Sequence, residues 1–258
     1  MFDLDRIQAS ALVARVDYHE SLGSTSDRSL ELAAAGEAPL PLLVLAARQT
    51  GGRGRGTNRW WSDTGALTFS LVLEVPPESL APDRWPQLSL AAGLAVCETL
   101  EALVPRSECR VKWPNDVFLN DRKVCGVLCE SVPGWRDRLV LGIGLNVNNS
   151  LSQAPPEVRQ AATSLVDETG GAYDLTAALV DLLRRLDERI GQLLDGQFAA
   201  QAVEFRRRCY LTGKTLTVVS GGRTLVGRCQ GTDDAGELLL RTESGTQRIV
   251  AGTIVVCE

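Results

Sequence analysis

A continuous apolar run over residues 40–47 breaks directly into Gln49-Thr50-Gly51-Gly52-Arg53-Gly54-Arg55-Gly56-Thr57-Asn58-Arg59-Trp60-Trp61, and no regular element can carry that second stretch. Glycine costs about 1 kcal/mol relative to alanine inside a helix, and it weakens a strand by the same loss of chain freedom. The preceding run has the length of a strand and no polar alternation, the pattern of a strand covered on both faces. Together they require a layered sheet with a loop leaving the end of one strand. Glycines kept among arginines suit backbone amides and guanidinium forks closing around an anion. A flexible solvated loop or an RNA-contacting loop has the same composition, so the loop alone leaves these readings open.

Charge sharpens the contrast. The 258-residue chain has a net charge of -5 and a pI near 5.1, which argues against a nucleic-acid coat. Between Pro39 and Ser62, however, stand Arg48, Arg53, Arg55 and Arg59 with no acid among them, a positive patch on an acidic protein. Hydrophobic residues at 44% and charged residues at 23% suit an ordinary globular chain, long enough for one large domain and a small satellite. The N-terminus, Met-Phe-Asp-Leu-Asp-Arg, lacks the basic flank and apolar stretch of a secretory signal, and no segment reaches membrane-spanning length. A soluble, cytoplasmic protein without a membrane partner is expected. Cys97, Cys109, Cys125, Cys129, Cys209, Cys229 and Cys257 make an odd set with no C-x-x-C pair, so buried reduced thiols rather than a metal cluster are expected.

Periodicity predicts a short strand over residues 16–22, then a helix through Leu30, Leu32 and Ala35, capped by a hydroxyl of Ser24, Thr25 or Ser26 and ended by Gly36. A strand is predicted over 66–75 and a long helix over 86–103 with Pro86 in its first turn. Residues 111–119 read as one extended segment leading to an Asn120-Asp121 hairpin turn, with a return strand over 122–130. Another strand follows over 139–147, where Gly142 and Gly144 permit close backbone approach. Helices are predicted over 175–194 and 199–208. From Leu211 onward short strands broken by Gly221-Gly222, Asp233-Asp234-Ala235-Gly236 and Ser244-Gly245 have the spacing of a small β-barrel, and a domain boundary falls near Tyr210.

Ordinary nucleotide signatures fail. Gly213-Lys214-Thr215 ends like a P-loop, but Arg208 stands where its first glycine is required; Gly142-Ile143-Gly144 meets Val147 instead of a third glycine. A Ser-His-Asp hydrolase would have to use His19, the only histidine, and no G-x-S-x-G elbow accompanies it. Lys112-Trp113-Pro114-Asn115-Asp116 gathers a cation, an aromatic wall, an amide and a carboxylate around a proline that fixes the backbone. That cluster suits a polar ligand site, and a strand ending in a turn has the same composition. Lys123, on the predicted return strand, can face Asp116 across the hairpin and act on an anionic substrate.

The order G-G-R-G-R-G-T-N-R-W, then K-W-P-N-D-V-F-L-N-D-R-K-V-C-G-V-L-C-E, with Ser24-Thr25 upstream and Gly142-Ile143-Gly144-Leu145-Asn146 downstream, closely resembles the biotin protein ligase family. The resemblance implies an α+β fold: a mixed β-sheet flanked by helices, a class II synthetase-like biotin/lipoate ligase catalytic domain over residues 1–210, and a small C-terminal SH3-like β-barrel over 211–258. It implies ATP-dependent formation of biotinyl-5'-AMP and transfer of biotin to a lysine of the biotin carboxyl carrier protein of acetyl-CoA carboxylase, with ATP and Mg²⁺ as cofactors. By resemblance Ser24, Thr25, Ser26, Gln49, Arg53, Gly54, Arg55, Lys123 and Gly126 contact biotin. Arg53, Trp60, Lys112, Asn115 and Asn146 contact ATP or the adenylate, and Lys123, Asp116 and Arg53 carry catalysis, with no protein metal ligand.

The chain departs from the family pattern at Ser26, commonly Asn, and at Thr57-Asn58, often basic. Only about twenty residues precede Ser24, too few for the winged helix of repressor relatives, so a ligase without repressor function and without a nucleic-acid partner is expected. A homodimer is possible, through edge pairing near residues 139–147. Lipoate ligases and octanoyltransferases share the architecture but lack this form of the G-R-G-R loop, and an RNA-binding module remains the rival of a different class.

Overall fold

The computed structural model describes residues 2–10, 12–36 and 38–258. Two sheets organise them. The larger is seven-stranded: β1 (Arg15–His19), β2 (Leu42–Ala46), β3 (Leu67–Glu74), β4 (Cys109–Lys112), β5 (Asp116–Leu119), β6 (Arg122–Ser131) and β7 (Arg138–Leu145) in the order β1-β2-β3-β7-β6-β5-β4. Only β1 and β2 run parallel; the other neighbours are antiparallel, so the sheet is mixed.

Both faces are covered, which is why β2 needs no polar alternation. Leu43, Leu45, Phe69, Leu141 and Ile143 point into the main core beneath α3 (Pro86–Leu103) and α6 (Leu175–Leu194), with α7 (Phe198–Arg208) packed beside them. Leu42, Val44, Val72 and Val140 point the other way and meet Ala33 on α2 (Thr25–Ala35). That helix starts where the Ser24 hydroxyl accepts from the Asp27 N–H, and it stops at Gly36, whose φ of 74° is the left-handed C-terminal conformation. α2 covers only part of its face. The uncovered remainder of β6 and β7 is where the site lies.

The helices over 86–103 and 175–194 form as expected, and the one expected from Ala199 begins one residue earlier. Three short helices, α1 (Leu4–Gln8), α4 (Pro156–Ala161) and α5 (Leu165–Thr169), have no counterpart in the sequence reading. Two expectations are corrected. Residues 111–119 are not one segment: β4 and β5 fold back on each other over Trp113-Pro114-Asn115, pairing Lys112 with Asp116, because Trp113 turns inward to a buried position. Residues 139–147 cannot pair edge to edge with a second copy, because β7 is hydrogen-bonded on both sides, to β3 and β6.

The smaller sheet holds β8 (Thr215–Ser220), β9 (Arg223–Thr232), β10 (Leu238–Thr242), β11 (Gly245–Ile249) and β12 (Thr253–Cys257), antiparallel in the order β11-β10-β9-β8-β12. The long β9 pairs with β8 along its first half and with β10 along its second. Leu216, Val218, Cys229, Leu238, Leu240 and Ile249 from this sheet belong to the same contiguous core as α3 and α6. No described helix is long and apolar enough to cross a membrane.

Candidate active site

On the face of the large sheet left open by α2, adjacent strands present glycines. Gly126 on β6 lies opposite Gly144 on β7, with Gly142 two residues earlier on the same face. This floor is low by necessity. A Cβ on Gly144 would fall 2.3 Å from Trp60 Cε2, and one on Gly142 would fall 2.7 Å from Ser26 Oγ. Above the floor is a cavity of about 500 Å³, within the size range of small-molecule sites.

One end of the cavity is a network of neutral polar groups. Gln49 Oε1 accepts from the Thr25 N–H at 2.7 Å and from Thr25 Oγ1 at 3.1 Å. Ser70 Oγ donates to Thr25 Oγ1 at 2.9 Å and lies 3.3 Å from Ser26 Oγ. Thr25, Ser26 and Ser70 are buried; Thr25, Ser26 and Gln49 line the cavity, and Ser70 holds the first two in place from behind.

The glycine-arginine loop arches over the cavity as a narrow hairpin-like flap. The Trp60 N–H donates to Gly52 O at 2.9 Å, the Gly54 N–H donates to Asn58 O at 2.8 Å, and Arg53 and Arg59 form a bridge between the two limbs. Gly52 is required at the flap's base, where a Cβ would meet Trp60 O at 2.6 Å. The Trp60 indole lies against Gly144, and the Lys123 ammonium sits 5.7 Å from its ring centre.

The lining contains five cations, Arg53, Arg55, Arg59, Lys112 and Lys123, against one carboxylate, Asp116. They are not equivalent. Arg53 is held by Glu130 through parallel hydrogen bonds of 2.7 Å each, with Asp27 at 2.6 Å from Nε, and the Glu130 bonds push its pKa up further. Lys123 Nζ is 2.6 Å from Asp116 Oδ1. Arg55 has no carboxylate at ion-pair distance among the described residues; both terminal nitrogens donate to Gly252 O at 3.2 Å, and Nη1 lies 3.5 Å from Asn115 Oδ1. Burial lowers its pKa, opposed by the charge of Asp116. A half-buried guanidinium bonded only to neutral oxygens is a preformed anion seat.

Thr25, Ser26, Gln49, Arg53, Gly54 and Arg55 line the cavity, and Trp60, Lys112, Asn115, Asp116, Lys123 and Gly126 line it with them. Two expected members do not. Ser24 spends its hydroxyl on the N-terminus of α2. Asn146 is buried behind the floor, its Nδ2 donating to Thr163 O and its Oδ1 accepting from Asn149 Nδ2. Other residues were missed. Ser70, which bonds Thr25 from behind the lining, was detectable as a hydroxyl inside the apolar run of β3. Thr253 and Ile254 reach the cavity from the smaller sheet, and no local signal marks them. The seven cysteines are free thiols, and no described cluster of three or more His, Cys, Asp or Glu could hold a metal.

Comparison with known proteins agrees with this geometry. Residues 18–148 match the biotin/lipoate A/B protein ligase family and residues 212–256 the biotin protein ligase C terminal domain. The chain is 36% identical to a biotin-[acetyl-CoA-carboxylase] ligase of Mycobacterium tuberculosis over 93% of this chain and 88% of that protein. It is 33% identical to the protein of the same name from Paracoccus denitrificans, over 94% and 98%. A biotin protein ligase from Aquifex aeolicus, solved in complex with biotin and ATP, superposes with a TM-score of 0.82 at 30% identity, covering 93% of this chain and 97% of that one. Matched along nearly its whole length, and at both its N-terminal and C-terminal regions, this chain belongs to the biotin protein ligase family.

Proposed function

We propose that this chain joins biotin to ATP as biotinyl-5'-AMP and then passes the biotin to a lysine on the biotin carboxyl carrier protein of acetyl-CoA carboxylase. The observation that carries the reading is the polarity of the cavity: a neutral hydrogen-bonding end at Thr25, Ser26 and Gln49 is continuous across a glycine floor with a strongly cationic end. A ureido ring needs the first, an aliphatic chain the second, and a carboxylate meeting a triphosphate the third.

In the first step a carboxylate oxygen of biotin attacks the α-phosphorus, a new C(=O)–O–P linkage forms, and the bond to the β-phosphate breaks to release pyrophosphate. Two anions must meet, so the barrier is electrostatic. Arg55, free of carboxylate partners, and Lys112 and Lys123 are the groups assigned to offset that charge. Arg53, expected from the sequence to share this work, is held by two carboxylates, Glu130 and Asp27, against the single Asp116 on Lys123, so its share passes to Arg55. The lining has one carboxylate, and Lys123 occupies it; Mg²⁺ is therefore assigned to the phosphates of ATP and enters with that substrate.

In the second step the carrier lysine amine attacks the acyl carbon, the acyl–oxygen bond to phosphate breaks, AMP leaves, and the nitrogen loses a proton. Asp116 is the carboxylate assigned to orient that amine or take the proton, in exchange for its bond to Lys123. Incubation of the chain with MgATP, a purified carrier domain and either biotin or lipoate, read by mass spectrometry, should add one biotinyl group and no lipoyl group; lipoyl addition or no addition overturns the reading. Asp116→Ala should slow transfer about a hundredfold while pyrophosphate exchange falls far less. Equal loss of both half-reactions would remove Asp116 from the second.

A further inference from the structure

Neither step uses Glu130 or Asp27, and neither residue lines the cavity. Yet both hold Arg53, from two different elements. Glu130, on β6, takes both terminal nitrogens of Arg53 at 2.7 Å, with only 24% of its side chain exposed. Asp27, in the first turn of α2, forms an ion pair with Nε at 2.6 Å and is 55% exposed. A bidentate, half-buried carboxylate–guanidinium pair is directional in a way that a surface ion pair is not. Glu130 therefore carries more of the restraint than Asp27.

The position of Arg53 gives that restraint leverage. It stands at the base of the flap, bridged to Arg59 across the two limbs and directly after Gly52, whose carbonyl takes the Trp60 N–H. Movement of Arg53 moves the base, and with it Arg55 toward the tip and Trp60 on the floor. The base is tied to the large sheet through Glu130, while Arg55 is tied to the loop between β11 and β12 through Gly252 O.

We propose that Glu130 is a positioning residue which, acting through Arg53, keeps the flap folded across the acyl-adenylate in the interval between the two steps. This rests on the adenylate-forming reading above. A mixed anhydride exposed to water is lost by hydrolysis, so a flap that opens early wastes ATP without modifying the carrier. The pin costs nothing in the chemistry itself because its carboxylate never meets the substrate.

The test is retention. The chain is loaded with labelled biotin and MgATP, freed of excess reagents, and chased with unlabelled biotin while bound label is followed. Glu130→Gln, which keeps the size but removes the charge and one acceptor, should lose label about tenfold faster than the parent. Glu130→Asp should fall between them. Arg53→Met should match Glu130→Gln, and the double variant should be no faster than Arg53→Met alone, because the two residues act as one device. Raising salt should speed loss from the parent by a larger factor than from Glu130→Gln, which keeps only the salt dependence of the cavity's own cations. Retention by Glu130→Gln at the parental rate, or additive losses in the double variant, overturns the assignment while leaving the adenylation reading intact. A fall in melting temperature of more than about 5 °C, with pyrophosphate exchange lost in proportion, also overturns it by making Glu130 a residue of the fold. A parent chain that never holds label overturns the adenylation reading and this proposal with it.

Discussion

A single methyl group decides whether the floor can exist. At position 144 it would lie 2.3 Å from Trp60, and at position 142 it would lie 2.7 Å from Ser26. Gly144→Val should therefore expel the indole and fill the slot, with biotin affinity falling about ten- to a hundredfold, the range of an overpacked site. Titration calorimetry would measure the loss, and unchanged affinity would show that the ligand does not lie over this strand. The same scale explains how far the site could be read in the sequence. Glycines, arginines and the Lys112–Asp116 cluster are unusual enough in composition to mark themselves. What composition cannot do is distinguish Arg53 from Arg55, two residues apart in a loop with no periodicity. Their fates depend on Glu130 and on Gly252, which are 77 and 197 residues away in sequence. Ser24 and Asn146 stand in the same motifs, yet both are used internally, since a buried hydroxyl or amide satisfies backbone groups as readily as it meets a ligand.

At the scale of elements, Asn146 fastens the segment after β7 to the strand that carries Lys123. Its N–H donates to Val124 O at 2.9 Å, its Nδ2 to Thr163 O at 3.0 Å, and the Thr163 N–H in turn donates to Lys123 O at 2.8 Å. Asn146→Ala leaves the Thr163 carbonyl buried without its amide partner, and the expected cost is about 1–3 kcal/mol in a urea unfolding midpoint with unchanged slope. The KM for ATP should stay within about twofold, given an unchanged site; a large rise without loss of stability would instead make Asn146 a nucleotide contact. Element length also governs what the sequence discloses. α3 and α6 bury apolar positions along their whole length, so periodicity locates them. α1, α4 and α5 have five or six residues each, too short for a period; α1 and α5 are started by the caps Asp3 and Ser164, and α4 by prolines at its first positions. The β4–β5 turn was hidden because Trp113 favours strands, and what draws it inward is a carbonyl from the far end of the chain.

That carbonyl links the two sheets into one molecule. Trp113 Nε1 donates to Gly236 O at 3.1 Å, and Gln87 Nε2 donates to Ala235 O at 2.9 Å. Gly236 has a φ of 84° and no room for a side chain, since a Cβ would lie 2.6 Å from Leu90 Cδ1 and 3.1 Å from Phe198 Cζ. The turn from Asp233 to Gly236 is thus inserted between α3 and α7, and apolar residues of the smaller sheet continue the core of the larger one without a polar break. If the smaller sheet folded independently, calorimetry would resolve two melting transitions, the usual outcome for domains joined by a small polar interface. A shared core predicts one, with calorimetric and van't Hoff enthalpies in agreement and a total of about 180 kcal/mol near 60 °C at about 0.7 kcal/mol per residue. Gly236→Val separates the alternatives further: a wedge in a shared core lowers the melting temperature of the whole chain, whereas a wedge between independent domains leaves each transition near its original temperature and only uncouples them. The second result would also detach Trp113 from its anchor without unfolding it, and activity would fall with stability preserved.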